Sequence, residues 1–464
     1  MGDLFCGIDI GTTNLKVALV DGAEGRTLWL DTVATPRASD GIGPVTDAPA
    51  LLRHIEEMIM RGWRAVGRGQ PIAAIACAGI GEDGIGLDAS LAPTGHAIPW
   101  FDFRAEAEAA ELRAGNMHGE EAGIDIDPTR TAAKWLWLRR HRPTELDRAT
   151  VWVAITDYPA VAWTGEPFMS ETLAVRTACY SLETRAFIPD LLAAAGAPAL
   201  PPVLAAGAVV GTVRHGALRG SGAADADTLV IAGGHDHPIA AAVILAKDQS
   251  RRVDSLGTAN LIYAEAPAGR LQDRSPLLAF GTPVRGGKGL ACLGVFEFSM
   301  AVENFGIDRN ALAKTLTLPS LPSGPSKSIP VPAKGESQHI GERAALEACS
   351  FYGRAMLEAA AQAGAVDGPL FATGGWARSR ALVQLRASVF GEAVHTVDEQ
   401  ELTAFGAALL ASEGAGGSFA PHMTMLGRVV EPVEEWTRIY NDIYGEWRQQ
   451  LDRCCAEETR LPGS

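Results

Sequence analysis

Four short runs carry residue types able to do chemistry. The first is Asp9-Ile-Gly-Thr-Thr13, an acid followed by a Gly-Thr-Thr turn between two apolar runs. Such a turn offers backbone N–H and hydroxyl groups to a phosphate, and Asp9 can hold a metal or its water shell. The same turn is also an ordinary way to join two strands. Two further glycine turns, Gly257-Thr258 and Gly374-Gly375-Trp-Ala-Arg-Ser379, also follow apolar segments. Backbone donors there can meet anionic or ribosyl groups. The fourth run, Gly233-Gly-His-Asp-His-Pro238, sets two imidazoles around a carboxylate. That spacing is compatible with metal ligands but lacks a third protein ligand at an informative distance. No GxxxxGK[ST] sequence occurs. A Walker-type site is therefore disfavoured, and with no GxGxxG run read as opening a dinucleotide fingerprint, so is a Rossmann-type site.

These runs need elements to position them. At 464 residues the chain exceeds the size at which one hydrophobic core stops growing, so two lobes are expected, with a boundary near 240. Hydrophobic residues make up 47%, and alanine and glycine are abundant, which suits a compact, helix-rich α/β enzyme. The formal charge of −15 argues against a nucleic-acid surface. Seven cysteines without a CxxC pattern point to reduced thiols in a cytoplasmic protein. Thr228 to Lys247 is apolar in bulk, but a membrane span would bury His235, Asp236 and His237 at high cost, so no membrane partner is expected.

Arg26–Thr35 alternates like a strand. Asp47–Gly67 has helical spacing, with Leu51, Leu52, Ile55, Ile59 and Trp63 recurring every three to four residues, and Ile72–Ala78 reads as a buried strand. Trp135, Trp137 and Leu138 on a helix over Thr131–His141 read as core packing. The second lobe begins with Arg251–Leu256, then has a helix over Ile340–Ala363, a strand at Leu370–Thr373, a helix after Ser379, a strand at Val394–Val397 and a helix through Phe405–Leu410. Ser320–Gly335 reads as a surface loop and the tail after Trp436 as a peripheral helix.

The order and long-range spacing of these motifs resemble the FGGY carbohydrate kinase family, within the sugar kinases and actin-like ATPases. The resemblance runs from Asp9-Ile-Gly-Thr-Thr13 through Trp100-Phe-Asp-Phe-Arg104, Asp157-Tyr158, Trp163-Thr-Gly-Glu166, Gly233-Gly-His-Asp236, Ser255-Leu-Gly-Thr258 and Thr373-Gly-Gly-Trp-Ala-Arg-Ser379 to Phe405-Gly-Ala-Ala-Leu-Leu-Ala411. It implies an α/β fold of two ribonuclease-H-like lobes around a central interdomain cleft: an N-terminal domain over 1–240 with the acceptor sugar and first phosphate loop, a C-terminal domain over 241–430 for the nucleotide, and a tail over 431–464. It further implies ATP-dependent phosphorylation of a small sugar, ketose or linear polyol. A homodimer rests on the resemblance alone. The competing class is an actin-like ATPase or nucleotide-driven binding module without sugar phosphorylation.

Carried over by the resemblance, Asp236 is the catalytic base. A carboxylate aimed at a sugar hydroxyl can take its proton as the oxygen attacks the γ-phosphoryl. Asp9 works with Mg²⁺, and Asp236 stands with it as a metal-side acid. Gly11, Thr12, Thr13, Gly257 and Thr258 match phosphate-loop positions, while Gly374, Gly375 and Arg378 border the adenosine. Lys16 either adds charge there or makes a salt bridge. On the acceptor side, Gly79-Ile-Gly-Glu82-Asp83-Gly84 stands where many ketose kinases of the family have Gly-Gln-Met-His-Gly. Glu82, Asp83, Trp100, Asp102, Arg104 and Asp236 are the acceptor candidates, with Arg104 also able to orient Asp102. Such a cluster of acids would accept hydroxyl donors and repel a phosphorylated sugar.

Overall fold

The computed structural model describes residues 2–115, 121–245, 251–257, 259–271, 275–321, 324–331, 341–398, 401–417 and 426–458. The chain divides into two compact units. The first comprises Met1–Val243, Phe280–Lys288 and Glu401–His422; the second comprises Ile244–Ala279, Gly289–Gln400 and Met423–Ser464. Three segments of the expected 241–430 domain, 241–243, 280–288 and 401–422, therefore group with the first unit, because contacts across the fold rather than chain order decide the division.

The first unit is built on a sheet of β1 (Leu4–Ile10), β2 (Asn14–Asp21), β3 (Arg26–Ala34), β4 (Ala74–Gly79), β5 (Val209–Thr212) and β6 (Leu229–His235), in the order β5-β6-β4-β1-β2-β3. β1 and β2 form the expected antiparallel hairpin, closing at Ile10 opposite Leu15. β4 runs parallel to β1, with Gly79 beside Ile10, and β6 runs parallel to β4, with His235 beside Gly79. Three parallel strands thus end side by side at Ile10, Gly79 and His235.

Helix α1 (Ala48–Val66) packs on β2 and β3. Asp47 caps it by accepting from the Ala50 N–H at 2.9 Å, and Gly67 ends it at φ 66°. Helix α2 (Thr131–His141) and the short α3 (Tyr158–Thr164) and α4 (Glu171–Arg176) follow, then α5 (Asp236–Ile244) straight after β6. Later in the chain, α8 (Leu402–Gly414) packs across β1 and β4. That contact depends on Gly7. A Cβ there would lie 1.8 Å from the Ala404 carbonyl oxygen. Gly7→Ala should therefore lower stability by about 2 kcal/mol or more, read as an earlier urea midpoint; an unchanged midpoint would show that α8 can slide away freely.

The second unit repeats the plan. β7 (Arg252–Leu256) and β8 (Asn260–Ala266) form a hairpin, β9 (Leu290–Phe296) pairs with β8, and β10 (Leu370–Thr373) and β11 (Val394–Val397) continue parallel from β7. β12 (Leu426–Val430) closes the edge antiparallel to β11. Its longest helices are α6 (Glu342–Gln362), α7 (Arg380–Phe390) and α9 (Glu434–Glu458). The tail forms the expected helix, and its Tyr440, Tyr444 and Trp447 are buried, each edge-on to Phe351 with centroids 5.3 to 5.9 Å away. Part of the expected 320–335 loop, 322–323 and 332–335, lies outside the described residues. Among the described residues, no helix is long and apolar enough to cross a membrane.

Candidate active site

The carboxyl ends of the first unit's parallel strands collect the candidate residues. Asp9 is the penultimate residue of β1, Glu82 and Asp83 follow β4, and Asp236 follows β6. Loops leaving adjacent parallel strands in one direction are where open α/β sheets assemble sites.

Gly11 closes the hairpin by donating its N–H to the Asn14 carbonyl at 3.1 Å. The turn is held through its carbonyls: Thr35 Oγ1 donates to Gly11 at 2.7 Å, Arg37 Nη2 to Thr12 at 3.0 Å and the Thr35 N–H to Thr13 at 2.9 Å. Among the described residues, the N–H groups of Thr12 and Thr13 have no protein acceptor. Two successive open donors are what a phosphate-binding turn requires.

Asp9 is buried, with Lys16 Nζ at 3.5 Å; the same ammonium lies 2.6 Å from Glu401 at the start of α8. Lys16 is thus a salt-bridge residue. Burial pushes Asp9 up to about 7, Lys16 opposes this, and the charges of Asp236 and Glu401 add to it. Asp9 and Asp236 therefore share one electrostatic neighbourhood. Asp236 is partly exposed, accepts from the His237 N–H at 2.7 Å and has His235 Nε2 at 3.3 Å. Burial foremost lowers His235 to about 4, so its ring is neutral at neutral pH. Among the described residues, no group of three His, Cys, Asp or Glu side chains forms a metal cluster. The pair of Asp9 and Asp236 nevertheless suits Mg²⁺, which takes one or two carboxylates and leaves other positions to water and phosphate.

The acceptor candidates divide. Glu82 Oε1 takes Arg130 Nη1 at 2.6 Å and Arg176 Nε at 2.8 Å, so two guanidiniums converge on one buried carboxylate oxygen. Although burial opposes it, Arg176 and then Arg130 hold Glu82 well below the usual carboxylate range. Asp83 is buried with neither oxygen hydrogen-bonded, and its nearest cation is Lys134 Nζ at 3.5 Å. Burial pushes it up to about 6 against the pull of Lys134 and Arg37. Trp100 is 38% exposed, and its indole Nε1 donates to Thr12 Oγ1 at 2.8 Å. Asp102 is clasped by Arg104 at 3.0 and 2.6 Å, and Arg104 also reaches Asp40 at 2.5 Å. Arg104 thus orients Asp102.

In the second unit, Gly374 follows β10 at φ 86°, and a Cβ on it would lie 2.5 Å from the Leu256 carbonyl oxygen at the end of β7. Only glycine lets these two strand ends approach so closely. Gly257 donates to the Ala259 carbonyl at 3.0 Å; Thr258, predicted beside it, lies outside the described residues. Gly375 to Arg378 form a single 3₁₀ turn, after which Ser379 caps α7 by accepting from the Leu382 N–H at 3.2 Å. A cavity of about 380 Å³ adjoins that turn, lined by Leu316, Leu318, Pro319, Gly375, Trp376 and Arg378 among others.

Sequence comparison decides the family. The model of the FGGY family of carbohydrate kinases, N-terminal domain, matches residues 4–243, and that of its C-terminal domain matches residues 333–415. The chain belongs to the FGGY family of carbohydrate kinases. An autoinducer-2 kinase of Yersinia pestis bv. Antiqua (strain Angola) is 27% identical over 259 residues, covering 51% of this chain and 46% of that protein. The chain thus matches less than half the length of that curated relative. Xylulose kinase from Rhodospirillum rubrum shares the fold with a TM-score of 0.86 at 20% identity, over 98% of this chain and 100% of that one. Gluconate kinase from Lactobacillus acidophilus does so with a TM-score of 0.83 at 19% identity, over 98% of each chain.

Several residues of this FGGY chain escaped the sequence reading: Arg37, Arg130, Lys134, Arg176 and Glu401. Lys134 alone left a signal, as a cation within the otherwise apolar face of α2, where it is 2% exposed. One motif also needs correcting. Gly79-Ile-Gly-Glu-Asp-Gly84 does fit GxGxxG, but it leads into a strand, Gly84–Leu87, instead of the helix that a dinucleotide fingerprint requires.

Proposed function

We propose that this chain transfers the γ-phosphoryl group of ATP to a hydroxyl of a small sugar, a ketose or linear polyol. The observation that carries this reading is the grouping of Asp236, Asp9 and the open Thr12 and Thr13 donors at the ends of neighbouring strands in one unit. Asp236 accepts the acceptor hydroxyl's proton as that oxygen forms its bond to γ-phosphorus and the bond to the ADP oxygen breaks. The Thr12 and Thr13 N–H groups hold phosphate oxygens in place. Asp9 and Asp236 are the residues that would hold Mg²⁺, which offsets phosphate charge when bound.

Gly257, Thr258, Gly374, Gly375 and Arg378 are assigned to the nucleotide. The cavity beside Trp376 and Leu318 suits the apolar face of a purine. On the acceptor side, Asp83 is fully buried against Lys134, so the exposed edge of Trp100 and the partly exposed Asp236 are the groups that meet the acceptor's hydroxyls. The arginines on Glu82, with Lys134 and Arg37, offset the negative charge that the acids alone would present.

The test is incubation of purified protein with Mg-ATP and a panel of short ketoses, aldoses and linear polyols, with autoinducer-2 included for the likeness above. Acceptor-dependent ADP and a phosphorylated sugar are expected. ADP release indifferent to every acceptor would instead identify an ATPase.

A further inference from the structure

Thr12, in the phosphate turn, is gripped twice from the acceptor side. The Trp100 indole donates to its hydroxyl oxygen at 2.8 Å, and Arg37 donates to its carbonyl at 3.0 Å. Both grips lean on one ring: Phe101 lies edge-on to Trp100 with centroids 5.9 Å apart, and the Arg37 guanidinium lies 5.3 Å from its centroid. Core packing does not force the indole bond, because Trp100 is 38% exposed and its N–H could turn to water.

The polarity of that bond matters. An indole N–H can only donate, whereas a hydroxyl has one proton and two lone pairs. Accepting from Trp100 therefore leaves the Thr12 proton free to be donated elsewhere, on the same turn that carries the open Thr12 and Thr13 N–H groups.

We propose that Trp100 is a positioning residue that couples the two substrates: an acceptor seated against the 100–104 loop holds the indole on Thr12, which fixes the Thr12 hydroxyl as a third donor to the nucleotide's phosphate. The inference rests on the phosphotransfer reading above. Linkage makes the coupling reciprocal, so acceptor tightens nucleotide by the factor that nucleotide tightens acceptor.

The experiment titrates a non-hydrolysable ATP analogue into the full chain, with and without a saturating accepted sugar. The proteins are wild type, Trp100→Phe, Thr12→Val, Thr12→Ser and the Trp100→Phe/Thr12→Val double variant, each checked by thermal melting. Phenylalanine keeps a ring beside Phe101 while removing the N–H along with part of the indole surface, so Thr12→Val is the matching probe that removes the acceptor hydroxyl instead. Wild type should show coupling of roughly fivefold or more. Trp100→Phe and Thr12→Val should each remove it, the double variant should lose no more than either, and Thr12→Ser should retain it. Full coupling in Trp100→Phe, or additive losses in the double variant, would overturn the inference while the phosphotransfer reading stands. A wild type that makes no acceptor-dependent ADP overturns that reading and the coupling with it.

Discussion

Asp236→Asn should lower the rate of phosphoryl transfer by about a thousandfold, the range expected when a general base is lost. The substitution is nearly isosteric, and the amide oxygen can still accept from the His237 N–H that Asp236 Oδ1 now holds at 2.7 Å. Folding should therefore survive, as thermal melting would verify. His235 offers no replacement base, because burial foremost, and Arg176 with it, lowers its pKa, and losing the Asp236 charge removes a contribution that raised it. Removing one carboxylate also relieves Asp9, whose raised pKa includes repulsion from Asp236. Affinity for a nucleotide analogue measured without Mg²⁺ should thus be kept while turnover collapses. A kcat within about tenfold of wild type would remove Asp236 from the role of base.

How much of this was legible in the sequence depends on how locally each feature is determined. The hairpin around Gly11 is local, since alternation and a glycine turn specify it, and it appears in register from Leu4 to Asp21. Helix α1 carries its own stripe, cap and terminating glycine, so its bounds nearly match the expectation. The strand ends that present Asp9, Glu82, Asp83 and Asp236 were likewise readable as apolar runs stopping at polar residues. What escaped is non-local. Arg130 and Arg176 reach Glu82 from 48 and 94 residues away, and no spacing rule links such partners. A count of acids alone consequently suggested a repulsive acceptor site, whereas folding brings cations onto Glu82. The return of α8 to the first sheet is of the same kind: an evenly apolar helix does not say which sheet it will cover. The aromatic face of α9 is also ambiguous until Phe351 supplies its partner.

Glu82→Gln should destabilise the first unit by about 3 kcal/mol at neutral pH, the scale for removing one partner of a buried ion cluster. The carboxylate side chain is 9% exposed, and it separates guanidiniums whose side chains are 15% and 13% exposed. An amide oxygen can accept from one arginine but brings no charge, so Arg130 and Arg176 then repel each other in a poorly solvated place; Arg130 alone keeps a second acid, Asp127, at 3.1 Å. The pH dependence has a definite sign. Because the folded-state pKa of Glu82 lies below its ordinary 4.5, the stabilisation is fully present above 4.5 and is lost as pH falls towards the folded value. The gap between wild type and Glu82→Gln should therefore be widest near neutrality and narrow below 4.5. Asp83, next in the chain, has the opposite sign: raised to about 6, its contribution is present below the ordinary 3.8 and lost as pH rises through about 6. Urea unfolding of both proteins across pH would measure the gap. Were Glu82 instead a direct hydroxyl acceptor with no structural duty, Glu82→Gln would raise the acceptor KM and leave the urea midpoint unmoved at every pH. The convergence of both arginines on Oε1 favours the first outcome.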